Sequence, residues 1–306
     1  MKDVKLEFFE DMFDFEEEVG EVDNDKVSIW VKDKDLFIPS TDISVTNTLP
    51  PGTYKVDNTN DRGLHCKKLE IETDDLYKFK NSAVENLLSE INLFWSKKKT
   101  YEEYKMIHKR GILLLGFPGN GKTSLIDLVS KELITKGGVI FKIDDAANFI
   151  NYLDFMKYGF KKIQPNTPII TILEDLDQYD QVESRLLDFL DGQNQFSNHL
   201  VIATSNNIEE VPDSFLRPSR IDLKIVIEYP DEEIRREFFK LKGTPDDKLE
   251  KLVELTEDCT FADLKEVFIT HFVLEYSIED AVTKVKSPFE KKDYSSFASR
   301  RSKLGL

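Results

Sequence analysis

Gly116, Gly119, Gly121, Lys122 and Thr123 lie in the run GFPGNGKTS with the spacing G-x-x-x-x-G-K-[ST]. These residue types suit one task, the capture of a polyphosphate. Glycines admit the backbone angles and close approach that let consecutive N–H groups point at one anion. A lysine adds a mobile positive charge, and a hydroxyl adds a ligand for a hard cation. Gly116, Pro118, Gly119, Asn120, Gly121, Lys122, Thr123 and Ser124 form the candidate cradle. Lys122 would reach the β/γ-phosphates and Thr123 would ligate Mg²⁺.

Three more groups could do chemistry downstream. The apolar run IITIL ends in Glu174-Asp175-Leu176-Asp177, about 50 residues beyond Lys122. At such a strand end one carboxylate holds the Mg²⁺ shell and the next polarises an attacking water. HLVIATSNN places Asn206 at another strand end, where it could orient that water or touch the γ-phosphate. Finally, FLRPSRID holds Arg217 and Arg220 three apart around a Pro-Ser turn, a rigid presentation of two guanidinium forks. Following the other motifs in order, they read as fingers that act on a neighbouring molecule.

The positioning elements are legible from periodicity. Ile112–Leu115 reads as a buried strand feeding the glycine loop, and Leu125, Ile126, Val129 and Leu133 recur at helical spacing behind it. Val139–Ile143 is a second strand, followed by a helical stretch to about Lys162. Phe149-Ile150 in that stretch is expected to be core. Beyond Pro230, apolar residues at helical spacing describe a small helical domain. Upstream, VSIWV, LFI, YKV and LHCKKLEI between turn formers suggest a small β-rich domain over 26–72. A helix follows in 74–109, with Leu87, Leu88, Ile91 and Trp95 on one side, and Lys97–Lys99 as a solvated run.

Composition narrows the class. With 306 residues, 40% apolar and 33% charged, the chain has room for two or three domains and a sizeable core. A net charge of −16 argues against a broad grip on nucleic acid or anionic membrane. No run approaches a membrane span. Cys66 and Cys259 suit a reducing compartment, so the expected location is cytoplasmic, and the four histidines show no ligand spacing. Residues 1–25 carry eleven acidic and two basic side chains around four phenylalanines. They form either a docked helix or tail, or a peptide that engages a partner.

Taken in order, GFPGNGKTS, ITILEDLD, ATSNN and FLRPSRID resemble the Walker A, Walker B, sensor 1 and arginine-finger segments of the AAA family of ring ATPases. KRGILLLG, LDG at 190–192 and TFADLKEV add to the likeness, which covers about 75–275. Within the family the Glu174-Asp175 order and the Tyr104–Gly111 lead-in look most like the Bcs1-like branch, without the transmembrane anchor of its mitochondrial members. The resemblance implies a P-loop three-layer αβα sandwich with a parallel sheet, a helical lid and a preceding β-rich domain. The expected domains are 1–74, 75–229, 230–288 and a basic tail 289–306.

It implies ATP and Mg²⁺ as cofactors. Thr123 and Glu174 would lie on the metal side, Asp175 would act as general base and Asn206 as sensor 1. Arg217 and Arg220 would reach into the site of the next subunit of a homo-oligomeric ring, a hexamer or heptamer working on a protein client. Ser219 replaces the glycine usual between the fingers. Two rivals remain. One is an ATP-binding assembly module that barely turns over, because Asp175 is a methylene shorter than the usual glutamate. The other is a nucleic-acid-linked loader.

Overall fold

A computed structural model describes residues 28–33, 36–41, 46–60, 63–70, 82–191, 195–209 and 211–286. The acidic segment 1–25, the tail 289–306 and Gly192 lie outside the described residues. The chain divides into two compact units, 1–47 and 48–306. In the first, β1 (Ser28–Asp33) pairs antiparallel with β2 (Leu36–Thr41).

The second unit opens with β3 (Gly52–Thr59) and β4 (Gly63–Leu69), an antiparallel hairpin. Helices α1 (Ser82–Ser96) and α2 (Lys98–Glu103) lead into β5 (Lys109–Gly116), α3 (Lys122–Thr135) and β6 (Val139–Ile143). Then α4 (Ala146–Phe155) continues through a π-helical turn, Met156–Phe160, into the short α5 (Lys161–Ile163). After it come β7 (Ile169–Leu173), α6 (Glu183–Asp191), β8 (His199–Ser205) and β9 (Leu223–Ile227). The described strands of this second unit form one sheet in the order β4-β3-β6-β7-β8-β5-β9, parallel except for β4.

Strand alternation builds two apolar layers from the same residues. Ile112, Leu114, Ile170, Ile172, Leu200 and Ile202 face one core with Leu125, Ile126 and Val129 of α3 and Leu87 of α1. Leu113, Leu115, Ile169, Leu173, Val201 and Ala203 face the other, with Phe149, Tyr152 and Phe189. Phe149 is therefore core, as expected. A third cluster closes the lid, formed by α7 (Glu232–Leu241), α8 (Asp246–Leu255), α9 (Phe261–Phe268) and α10 (Ile278–Val285). Among the described residues no helix is long and apolar enough to cross a membrane.

One expectation needs correction. The β-rich segment 26–72 is not a single domain: β3 hydrogen-bonds in parallel to β6, so the β3–β4 hairpin extends the main sheet, and only 1–47 separates. The boundary drawn at 74–75 falls beyond two strands of the sheet it was meant to precede. The physical reason is that sheet membership depends on backbone pairing across more than 80 residues of chain, which no local pattern records.

Beneath the sheet, Tyr152 Oη and Thr171 Oγ1 lie 2.6 Å apart, and Thr171 Oγ1 and His199 Nε2 2.7 Å. His199 is fully buried and its Nδ1 has no partner. Burial, reinforced by Lys161 and Lys109, holds its pKa well below 6.5. Above the unfolded value of about 6.5 both states keep the ring neutral and stability is full. Below it the unfolded chain takes up a proton that the folded chain refuses, and stability falls by up to about 1.4 kcal/mol per pH unit. The urea midpoint should therefore drop between pH 6.5 and 5, and His199→Gln should flatten that limb.

Candidate nucleotide site

Between β5 and α3 the chain turns with Gly119 and Gly121 both at φ +83°, in the left-handed region that side chains resist. Gly121 is the N-cap of α3, and no side chain caps that helix. By contrast, Asp145, Asp231, Thr260 and Ser277 cap α4, α7, α9 and α10. The first-turn N–H groups of α3 are thus left without a side-chain acceptor, the condition in which a helix start receives phosphate. Thr123 and Ser124 in that turn are exposed, as is Pro118. Asn120 is buried and donates to the Ile227 carbonyl at 3.5 Å, tying the loop to β9. The lid closes on the loop from the other side, where Ala262 N donates to Gly119 O at 3.2 Å.

Lys122 is 9% exposed and donates to the carbonyls of Gly116 (2.7 Å) and Phe117 (3.1 Å) and to Asn206 Oδ1 (2.6 Å). Asn206 Nδ2 in turn donates to Asp175 Oδ1 at 3.1 Å, and Asp175 N donates to Thr204 Oγ1 at 3.0 Å. The loop, the end of β8 and the end of β7 are joined by this one path. Burial lowers the Lys122 pKa against the pull of Asp175. A bound phosphate would supply the anionic partner that burial withholds. Asp175 adopts φ 49° and ψ 66°, a left-handed backbone that aspartate tolerates better than most residues. That turn brings its short carboxylate to Asn206.

Glu174 takes a different partner. Its Oε2 lies 3.2 Å from Lys142 Nζ on β6, so the adjacent carboxylates face different partners, an ammonium and an amide. Among the described residues no group of three or more His, Cys, Asp or Glu side chains could hold a metal unaided. Mg²⁺ in phosphate sites takes one or two carboxylates and completes its shell from phosphate and water. Thr123, Glu174 and the phosphates themselves fit that division, and those two side chains would hold the ion.

The arginine turn stands at the far end of β5. Arg220 Nε lies 2.5 Å from Asp191 Oδ2, and its Nη1 donates to Ser214 O at 2.6 Å, so this guanidinium is engaged within its own chain. Arg217 is exposed, and among the described residues its guanidinium makes no hydrogen bond or ion pair. Ser219, at the glycine position of the family pattern, holds φ +75°, so the left-handed turn survives the substitution. Asp222 secures it: Oδ1 accepts from Ser219 N at 3.0 Å, and Oδ2 accepts from Gly111 N at 2.9 Å. Lys109 Nζ adds a bond to Ser219 O at 3.2 Å.

Sequence reasoning held Gly111, Thr204 and Asp222 only as members of larger motifs, with no role of their own, and missed Lys142. A lone lysine in the apolar strand VIFKI was the one available signal for Lys142. A Cβ on Gly111 would lie 1.9 Å from the Arg220 carbonyl oxygen. Gly111→Ala must therefore displace the arginine turn, and the overpacking should cost about 1–3 kcal/mol in urea unfolding. Nucleotide affinity in a fluorescence titration should be unchanged.

Residues 112–229 match the family described as "ATPase family associated with various cellular activities (AAA)". The chain is 28% identical over 181 residues to ATP-dependent zinc metalloprotease FtsH 2 of Sphaerobacter thermophilus, covering 52% of this chain and 27% of that protein. It is 30% identical over 183 residues to the cell division cycle protein 48 homolog of Archaeoglobus fulgidus, covering 52% and 24%. To a Kocuria rhizophila protein named "AAA ATPase forming ring-shaped complexes" it is 27% identical over 177 residues, covering 48% and 31%. The chain thus spans less than a third of the length of these relatives. The matched segment runs from the strand before the glycine loop to the strand after the arginine turn, and over residues 112–229 this chain is similar to the AAA family.

Proposed function

We propose that this chain hydrolyses ATP in a ring of its own copies and uses nucleotide state to move a protein client. The observation that carries the reading is the path from Lys122 through Asn206 to Asp175, 2.6 and 3.1 Å long. It holds a phosphate-binding cation, a water-orienting amide and a candidate base at adjoining strand ends. On binding, Lys122 exchanges its carbonyl partners for β/γ-phosphate oxygens, and the α3 start receives the charge. Asp175 accepts the proton of the attacking water, while Asn206 fixes the water's direction. Mg²⁺ supplies charge neutralisation on the phosphates when bound.

Arg217 is the residue we assign to the next protomer's site, because it is exposed and its guanidinium is unengaged among the described residues. Arg220 is assigned to bracing the turn through Asp191 and Ser214. The names of these relatives, an ATP-dependent protease and a former of ring-shaped complexes, favour protein work in a ring. A hexamer or heptamer suits this reading. The narrower likeness to the Bcs1-like branch rests on the Glu174-Asp175 order and the Tyr104–Gly111 lead-in.

Steady-state phosphate release tests the proposal. Turnover per chain should rise with protein concentration, and Arg217→Ala should lower it by about 10³-fold or more, the usual worth of such a finger. Asp175→Asn should abolish it without loss of ATP binding. Turnover independent of concentration and indifferent to Arg217→Ala would remove the shared site.

A further inference from the structure

The cation that meets Glu174 is not one that the phosphate-loop pattern supplies. Lys142 is the only charged residue of β6, between Phe141 and Ile143, both buried. Its Nζ stands 3.2 Å from Glu174 Oε2, with 30% and 24% of the two side chains exposed. Its field also reaches Asp127 on α3, where it opposes the burial that raises that carboxyl's pKa. Asp127 lies one helical turn beyond Thr123. Lys142 therefore borders Glu174, one of the two side chains that would hold Mg²⁺. Glutamate, a methylene longer than aspartate, has the reach to use this neighbour.

We propose that Lys142 holds the Glu174 carboxylate in the nucleotide-free chain and yields it when Mg²⁺–nucleotide arrives, so that Lys142 sets the Mg²⁺ requirement of the site. The inference rests on the nucleotide reading above. An ammonium and a divalent cation compete for the same carboxylate and repel each other at a few ångströms. The displaced ammonium still has the Asp127 carboxylate within its field. Metal binding is thus an exchange of cations at Glu174, with Lys142 as a positioning residue.

The test is a titration of a fluorescent ATP analogue into the full chain across a Mg²⁺ series. The set is the wild type, Lys142→Met, Lys142→Gln and Lys142→Arg. Met and Gln should lower the half-saturating Mg²⁺ by about 2- to 5-fold, the scale of a partly exposed ion pair, while Arg follows the wild type. On a Glu174→Gln background, Lys142→Met should shift nothing further. Unchanged Mg²⁺ dependence in both Met and Gln, or a shift that persists with Glu174→Gln, overturns the inference and leaves the nucleotide reading standing. A wild type that binds no nucleotide at any Mg²⁺ overturns both.

Discussion

The site depends on a single buried ammonium that has no carboxylate of its own. Lys122 is held by two loop carbonyls and by the amide oxygen of Asn206, and only through that amide does it meet Asp175. A cation so placed is kept charged by these dipoles and by the more distant pull of Asp175, and desolvation works against it. The arrangement is stable enough to fold, yet it leaves the lysine short of negative charge until an anion arrives. Sheet order makes this feasible: β8 lies between β7 and β5, so its end can hand an amide from one neighbour to the other.

The same strand that starts the loop anchors the arginine turn. β5 begins at Lys109 and Gly111, which bind Ser219 and Asp222, and ends at Gly116, where the phosphate cradle begins. One eight-residue strand thus fixes the distance between the part of the site that a chain keeps and the part we assign to its neighbour. The left-handed Ser219 costs roughly 1 kcal/mol. Its bonds to Asp222 and Lys109 offset that strain and hold the turn where glycine would hold it unaided.

Much of this was legible because local pattern and tertiary role agree. The runs ILLL, VIFKI, IITIL and HLVIAT are strands, the residues behind Lys122 are a helix, and Asp175 and Asn206 meet at strand ends as their positions after apolar runs imply. What stayed hidden depends on distance in sequence. The β3–β4 hairpin reads like a separate β domain because its partner β6 is far along the chain. Arg220 looks equivalent to Arg217 until Asp191, 29 residues earlier, is seen to hold it. Gly111 looks like an ordinary strand glycine until the Arg220 carbonyl is found where its Cβ would be.

The central claim is that two copies of the chain share each triphosphate, and subunit mixing tests it most directly. Lys122→Ala cannot hold nucleotide but retains Arg217, whereas Arg217→Ala retains an intact cradle. Each alone should be nearly inactive. Mixed in equal amounts and allowed to assemble, they should release phosphate well above the sum of the two, because one supplies the finger that the other lacks. A mixture no more active than that sum, in particles shown to contain both variants, would contradict the shared site.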